Sequence, residues 1–80
     1  MLTGEQLKAA RALVRLEQRA VASASGLSFE TIRRLEMNRG PISANTKTED
    51  ALRRAFRALG VIFIDENGEG PGVRLRKDAG

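Results

Sequence analysis

The stretch from Gln18 to Glu36 constrains this chain more than any other. It reads as two short helices broken at Gly26. A left-handed turn suits glycine, which has no Cβ to clash with the neighbouring carbonyl. Ala22, four residues earlier, is small enough for a second helix to cross close over the first. Val21, Leu27, Ile32 and Leu35 are spaced to bury one face of each helix. That leaves Ser28, Phe29, Glu30, Arg33 and Arg34 on the outside of the second helix.

The rest of the chain supplies elements around this pair. Thr3 and Gln6 form a capping-box pattern, which predicts a helix to about Val14 with Leu7, Ala10, Leu13 and Val14 as its apolar stripe. Ser28 is a good N-cap for the helix after Gly26, and Glu30 in its first turn favours the positive end of the helix dipole. That helix is expected to end near Asn38–Gly40, where Gly40 suits a stop and Pro41 cannot extend it. Residues 42–45 read as a short polar loop. Thr46 and Glu49 repeat the capping-box pattern and predict a fourth helix to about Leu59, with Ala51, Leu52, Ala55, Phe56 and Leu59 on one face.

After Gly60 the pattern changes. Residues 61–64 are β-branched and aromatic, residues 66–72 are dense in turn formers, and residues 73–76 alternate apolar and basic. Together they predict a β-hairpin. A lone hairpin is marginal in water and needs a surface to pack on. The expected architecture is mainly α: four helices over 1–60, a hairpin extension over 61–76 and a tail over 77–80 that frays.

Composition narrows the function. Eighty residues make one small domain, and a chain of this size buries only roughly 60% of its unfolded surface, so its stability is marginal unless it dimerises. With no cysteine and no histidine, the usual thiolate and imidazole metal ligands and the usual general base are missing. Neither a metal nor another cofactor is expected, nor an enzyme. No apolar run approaches a membrane span of roughly 20 residues. Residues 1–5 lack the basic and apolar regions of a signal peptide, so the expected location is the cytoplasm. The net charge is +4, but residues 8–57 carry eleven Lys/Arg against five Asp/Glu, while Asp65, Glu66 and Glu69 form an acidic loop. A basic body suits a polyanion. An exposed helix with polar, charged and apolar tips in such a body has the chemistry that reading the DNA major groove requires.

On these residues the run from about Leu7 to Leu59 resembles the phage-repressor or Cro-like (Xre-type) helix-turn-helix family. The likeness rests on Gln18, Ala22, Gly26, Ser28, Ile32, Leu35-Glu36 and Asn38-Arg39-Gly40, with no insertion or deletion from Gln18 to Gly40. It covers about two-thirds of the chain, and the hairpin lies outside the shared core. The resemblance implies that residues 1–60 form a helix-turn-helix DNA-binding domain of a homodimeric regulator acting at an inverted repeat and associated with the nucleoid, with control of its own operon as one expected mode of action. It implies that Gln18 braces a phosphate and the recognition helix. Ser28, Phe29, Glu30 and Thr31 open the base-reading segment, and Arg34 follows one turn on. Asn38 and Arg39 then lie in a loop against the DNA backbone, and Arg11 and Glu36 form a structural ion pair.

Side-chain chemistry agrees with several of these roles. Arg34 can donate twice to guanine, Glu30 can accept from cytosine and Phe29 can pack on a thymine methyl. Arg33, Arg39 and Lys47 suit phosphates, as does Ser28 at the helix start. Arg53, Arg54 and Arg57 read as a solvated face of the fourth helix. Val61, Phe63, Val73 and Leu75 are the expected dimer surface, with a hairpin folded on its own subunit as the opposite case. The alternative function is a DNA-binding antitoxin or adaptor whose hairpin holds a protein partner. No small-molecule ligand is expected in either case.

Overall fold

The computed structural model describes residues 1–78; of the expected tail, Ala79 and Gly80 lie outside the described residues, and Lys77 and Asp78 form an exposed turn. The elements are α1 (Gly4–Val14), α2 (Gln18–Ser25), α3 (Phe29–Glu36), α4 (Thr46–Ala58), β1 (Val61–Ile64) and β2 (Gly72–Leu75). The two strands pair antiparallel, with Val61 opposite Leu75 and Phe63 opposite Val73.

Capping chemistry sets most of the helix starts. The Thr3 hydroxyl accepts from the Gln6 amide at 3.0 Å, and the Gln6 side chain accepts in return from the Thr3 amide at 2.9 Å. This reciprocal box satisfies two of the donors that a helix N-terminus leaves free. Ser28 caps α3 through the Thr31 amide at 3.1 Å. The cap of α4 is Asn45, not the expected Thr46: Asn45 Oδ1 accepts from the Thr48 amide at 2.8 Å. Asparagine outranks threonine as a cap, and Glu49, one residue too far for a box here, takes Arg53 instead. Gly26 ends α2 at φ +75°, where a side chain would be strained. The third helix stops earlier than expected. Met37 caps it in right-handed geometry, and Gly40 belongs to the linker.

The core is one cluster. Leu7, Ala10, Val21, Ile32, Leu35, Leu52, Phe56 and Val61 are buried together, joined by Leu2 and Ile42. Leu2 and Ile42 come from segments that carry no helical period. They meet because the N-terminal residues pair with the α3–α4 linker. Ile42 donates its amide to the Leu2 carbonyl at 2.9 Å, and Gly4 donates to Gly40 at 3.1 Å. Residues 42–45 are therefore not a purely polar loop: Ile42 is buried, and strand-like pairing puts it there. Leu13 is exposed, against the expected stripe. It lies seven residues from Gln6, on nearly the same side of α1, but without the cover that the hairpin gives Gln6.

The hairpin packs on its own helices. Gln6 Nε2 donates to the carbonyls of Ile64 at 3.1 Å and Gly72 at 2.9 Å, clasping both strands to α1. Phe63 meets Phe56 of α4 edge to face, ring centroids 5.5 Å apart. Arg53 of α4 reaches Asp65, beyond β1, at 3.0 Å. Of the expected dimer surface, this packing withdraws Val61. Val61, Phe63, Val73 and Leu75 share the strand face turned to the helices, because directly paired residues and their second neighbours lie on one side of a sheet. Val61 is fully buried there, Phe63 and Val73 are half-buried against the core, and only Leu75 keeps substantial exposure.

Two predictions follow from this packing. A Cβ at position 4 would collide with the backbone carbonyl oxygen of Asn38. Gly4→Ala is therefore expected to destabilise the fold by more than about 2 kcal/mol in urea unfolding, although alanine favours helix by about 1 kcal/mol; an increase in stability would refute the close approach. The hydrogen bond and charge of Arg53 hold the Asp65 carboxyl below its ordinary range. A depressed folded pKa stabilises above the ordinary carboxylate pKa of about 3.9 and is lost as pH falls through the lower folded value. Asp65→Asn is thus expected to be less stable than the parent at pH 7 and equally stable near pH 2, and a gap independent of pH would remove this pair from the hairpin's anchorage.

Candidate nucleic-acid interface

The helices α2 and α3 are joined by Gly26, Leu27 and Ser28 alone. Val21, Ala22, Ile32 and Leu35 turn inward and are buried, with Leu27 half-buried beside them. This inward set fixes which residues α3 presents. Glu30, Arg33 and Arg34 are exposed on it, and Ser28 is exposed at its start.

One buried carboxylate sets the pose of α3. Glu36 is only 4% exposed. Arg11 of α1 donates to it twice, Nε to Oε2 at 2.6 Å and a terminal nitrogen to Oε1 at 2.9 Å. Gln18 of α2 donates to the same Oε1 at 3.1 Å. Arg11 spends another donor on the Leu16 carbonyl at 3.1 Å, fixing the α1–α2 link. The hydrogen bonds that Arg11 donates to Glu36 raise the Arg11 pKa, against the opposing effect of burial. Three helices thus converge on one acid, and Gln18 braces α3 from α2.

The other candidate residues occupy varied settings. Ser28 and Thr31 share a hydroxyl hydrogen bond at 2.8 Å, so each side chain is oriented by the other. Arg33 pairs with Glu30 at 3.0 Å, both largely solvated. Arg34 reaches the Ser43 carbonyl at the long distance of 3.5 Å. Arg39 and Lys47 are exposed. Arg39 also lies near Glu5, whose pKa is lowered mainly by a hydrogen bond from the Gly40 amide and slightly by Arg39.

Two expectations change. Phe29 is half-buried against the core and does not stand free on the outside of α3. Its ring lies under the Arg19 guanidinium, 4.2 Å from the ring centroid. A cation over an aromatic face is worth about 0.5–1 kcal/mol at an exposed site, so one face of Phe29 is already taken by Arg19. Asn38 is half-buried, and its Nδ2 is covered without a hydrogen-bond partner among the described residues. A covered nitrogen is not presented to a phosphate. Arg19 was missed by the sequence reading. It lies on the far side of the Gly26 turn from Phe29, and helical periodicity says nothing across a turn.

Among the described residues, no group of three or more His, Cys, Asp or Glu side chains is placed to hold a metal ion. No helix among them is long and apolar enough to cross a membrane. The sequence matches no protein-family model and no curated protein.

The Glu36 network carries a measurable consequence. Arg11→Leu strands a buried carboxylate and is expected to cost about 3 kcal/mol, while Arg11→Leu with Glu36→Leu recovers most of that loss. A urea double-mutant cycle measures it; a single-variant cost below about 1 kcal/mol would place the pair with ordinary surface salt bridges.

Proposed function

We propose that this chain is a sequence-specific, double-stranded DNA-binding transcriptional regulator, with α2 and α3 as a helix-turn-helix of the phage-repressor type. The observation that carries the reading is the presentation of α3. Its apolar side is fixed inward, and Glu36 is gripped from α1 and α2. Its outer side shows Glu30, Arg33 and Arg34, with the Ser28–Thr31 hydroxyl pair at its start. A helix of two turns with its polar residues on one side suits the major groove, which admits an α-helix and displays a distinct donor and acceptor pattern for each base pair.

Within this reading Arg34 reads guanine. Its long hydrogen bond to Ser43 is weak enough to exchange for two bonds to O6 and N7. Arg33 leaves Glu30 for a phosphate, which frees the carboxylate to accept from cytosine. Arg39, Lys47 and Gln18 hold the backbone. The regulator acts as a homodimer, since one such module reads few base pairs and two spaced by about 34 Å read an inverted repeat. With Val61, Phe63 and Val73 used inside the subunit, the dimer surface centres on the exposed Leu59 and Leu75.

Selection from random duplexes at about 150 mM salt tests this. An inverted repeat is expected to emerge, and Arg34→Ala is expected to lose about 1–3 kcal/mol on it while non-specific binding persists. Binding without enrichment that disappears as salt rises would refute sequence-specific recognition.

A further inference from the structure

A groove of about 410 Å³ runs between α4 and the hairpin. It shares no lining residue with α2 or α3: its polar walls are Asp50, Arg53, Arg54, Arg57 and Arg76, and its apolar floor is Val61, Ile62 and Phe63. Arg53 is pinned to Glu49 at 3.1 Å and to Asp65 at 3.0 Å, so it is part of the wall. Among the described residues, Arg54 and Arg57 have no ion-pair partner. Arg76 is half-satisfied. Its Nε is covered and makes no hydrogen bond, and its nearest acid, Asp78, stands 3.6 Å away. A covered donor with no acceptor costs free energy unless something supplies the acceptor.

We infer that this groove binds an acidic, amphipathic segment of a partner protein. Arg54 and Arg57, with Arg76 held only by its long 3.6 Å pair to Asp78, outweigh the single wall carboxylate of Asp50, which makes the rim cationic. Arginine takes carboxylates in a planar, two-bond fork, and arginine clusters are a recurring means of holding acidic motifs. The half-buried Ile62, with the part of Phe63 that lines the groove, suits an apolar residue next to the acids. A DNA backbone would satisfy the arginines and leave that floor in water. The groove is open to solvent along one side, which suits a chain segment laid across it better than an enclosed small molecule. A second copy's acidic loop is a weaker fit, because Asp65 is already held by Arg53 of its own chain. The site offers a place for protein input away from α2 and α3. It stands or falls independently of DNA recognition.

The test is selection of displayed random peptides on the full-length protein, with Arg54→Glu/Arg57→Glu as the comparison. Both side chains are exposed, and circular dichroism and urea unfolding check that the variant folds. Enriched peptides are expected to pair one or two acids with a neighbouring aliphatic or aromatic residue. Synthetic versions are expected to bind the charge-reversed protein at least about tenfold more weakly, and Arg76→Met measurably more weakly. Three results would overturn the proposal. One is no enriched motif, or a motif that binds the variant equally well. Another is a solution dimer that the variant dissolves, which would make a second copy the occupant. The third is a lower salt slope of DNA binding in Arg54→Ala/Arg57→Ala, which would make these arginines phosphate contacts.

Discussion

The carboxylate of Glu36 is the point on which the arrangement of the first three helices depends. A buried anion is tolerated only when its acceptor sites are filled and its charge is compensated. Arg11 supplies the charge and two donors, and Gln18 supplies a third. Each donor comes from a different helix than the acid itself. Moving α2 relative to α3 would break the Gln18 bond, and moving α1 would strand the charge. Apolar packing alone is non-directional, and it would let these short helices slide. The acid converts a greasy contact into one geometry, and the outward side of α3 inherits it.

A second constraint comes from the N-terminus. Thr3 and Gln6 cap α1, and the free end of the Gln6 amide then spans both hairpin strands. One side chain therefore joins local helix capping to a sheet some sixty residues away in the chain, a separation of 58 to Ile64 and 66 to Gly72. Gly4 packs so tightly on the Asn38 backbone that no side chain fits. The hairpin, marginal by itself, gains a fixed seat through these bonds and through Phe63 on Phe56. In a small domain, such shared use of residues replaces the large core it cannot build.

The same physics separates what the sequence reveals from what it hides. Helix existence followed from three- and four-residue spacing, and the α1 box from Thr3 and Gln6. The Asn45 cap was hidden because Thr46 and Glu49 form an equally good local pattern one residue on. Leu2 and Ile42 were hidden because isolated apolar residues outside a periodic run carry no address until two segments pair. The destination of the hairpin was open for a related reason. Alternation in residues 73–76 shows that one face is apolar, yet not whether that face meets its own helices or another chain. At the candidate interface, the polar outer side of α3 was legible from spacing. The cover on Asn38 and the Arg19–Phe29 stack were not, since helical spacing says nothing of burial in a linker or of contacts made across a turn.

Burial and pairing also sort the arginines by what they are free to do. Arg11 is held by a nearly fully buried acid, and removing it from Glu36 exposes the whole desolvation penalty. Arg53 is partly buried, and its pKa is raised because its hydrogen bonds to Asp65 and Glu49, with their charges, together outweigh the opposing effect of burial. These two are committed to the fold. Arg33 is different. Its pair with Glu30 lies in water, where such pairs are worth about 0–1 kcal/mol. A phosphate can therefore take Arg33 at small cost, and the release of Glu30 comes with it. Arg34, with its single long bond, is freer still. Arg54 and Arg57 line a groove that shares no residue with α3. The fold thus keeps two separate sets of available cations, and separate sets can meet separate anionic partners at once.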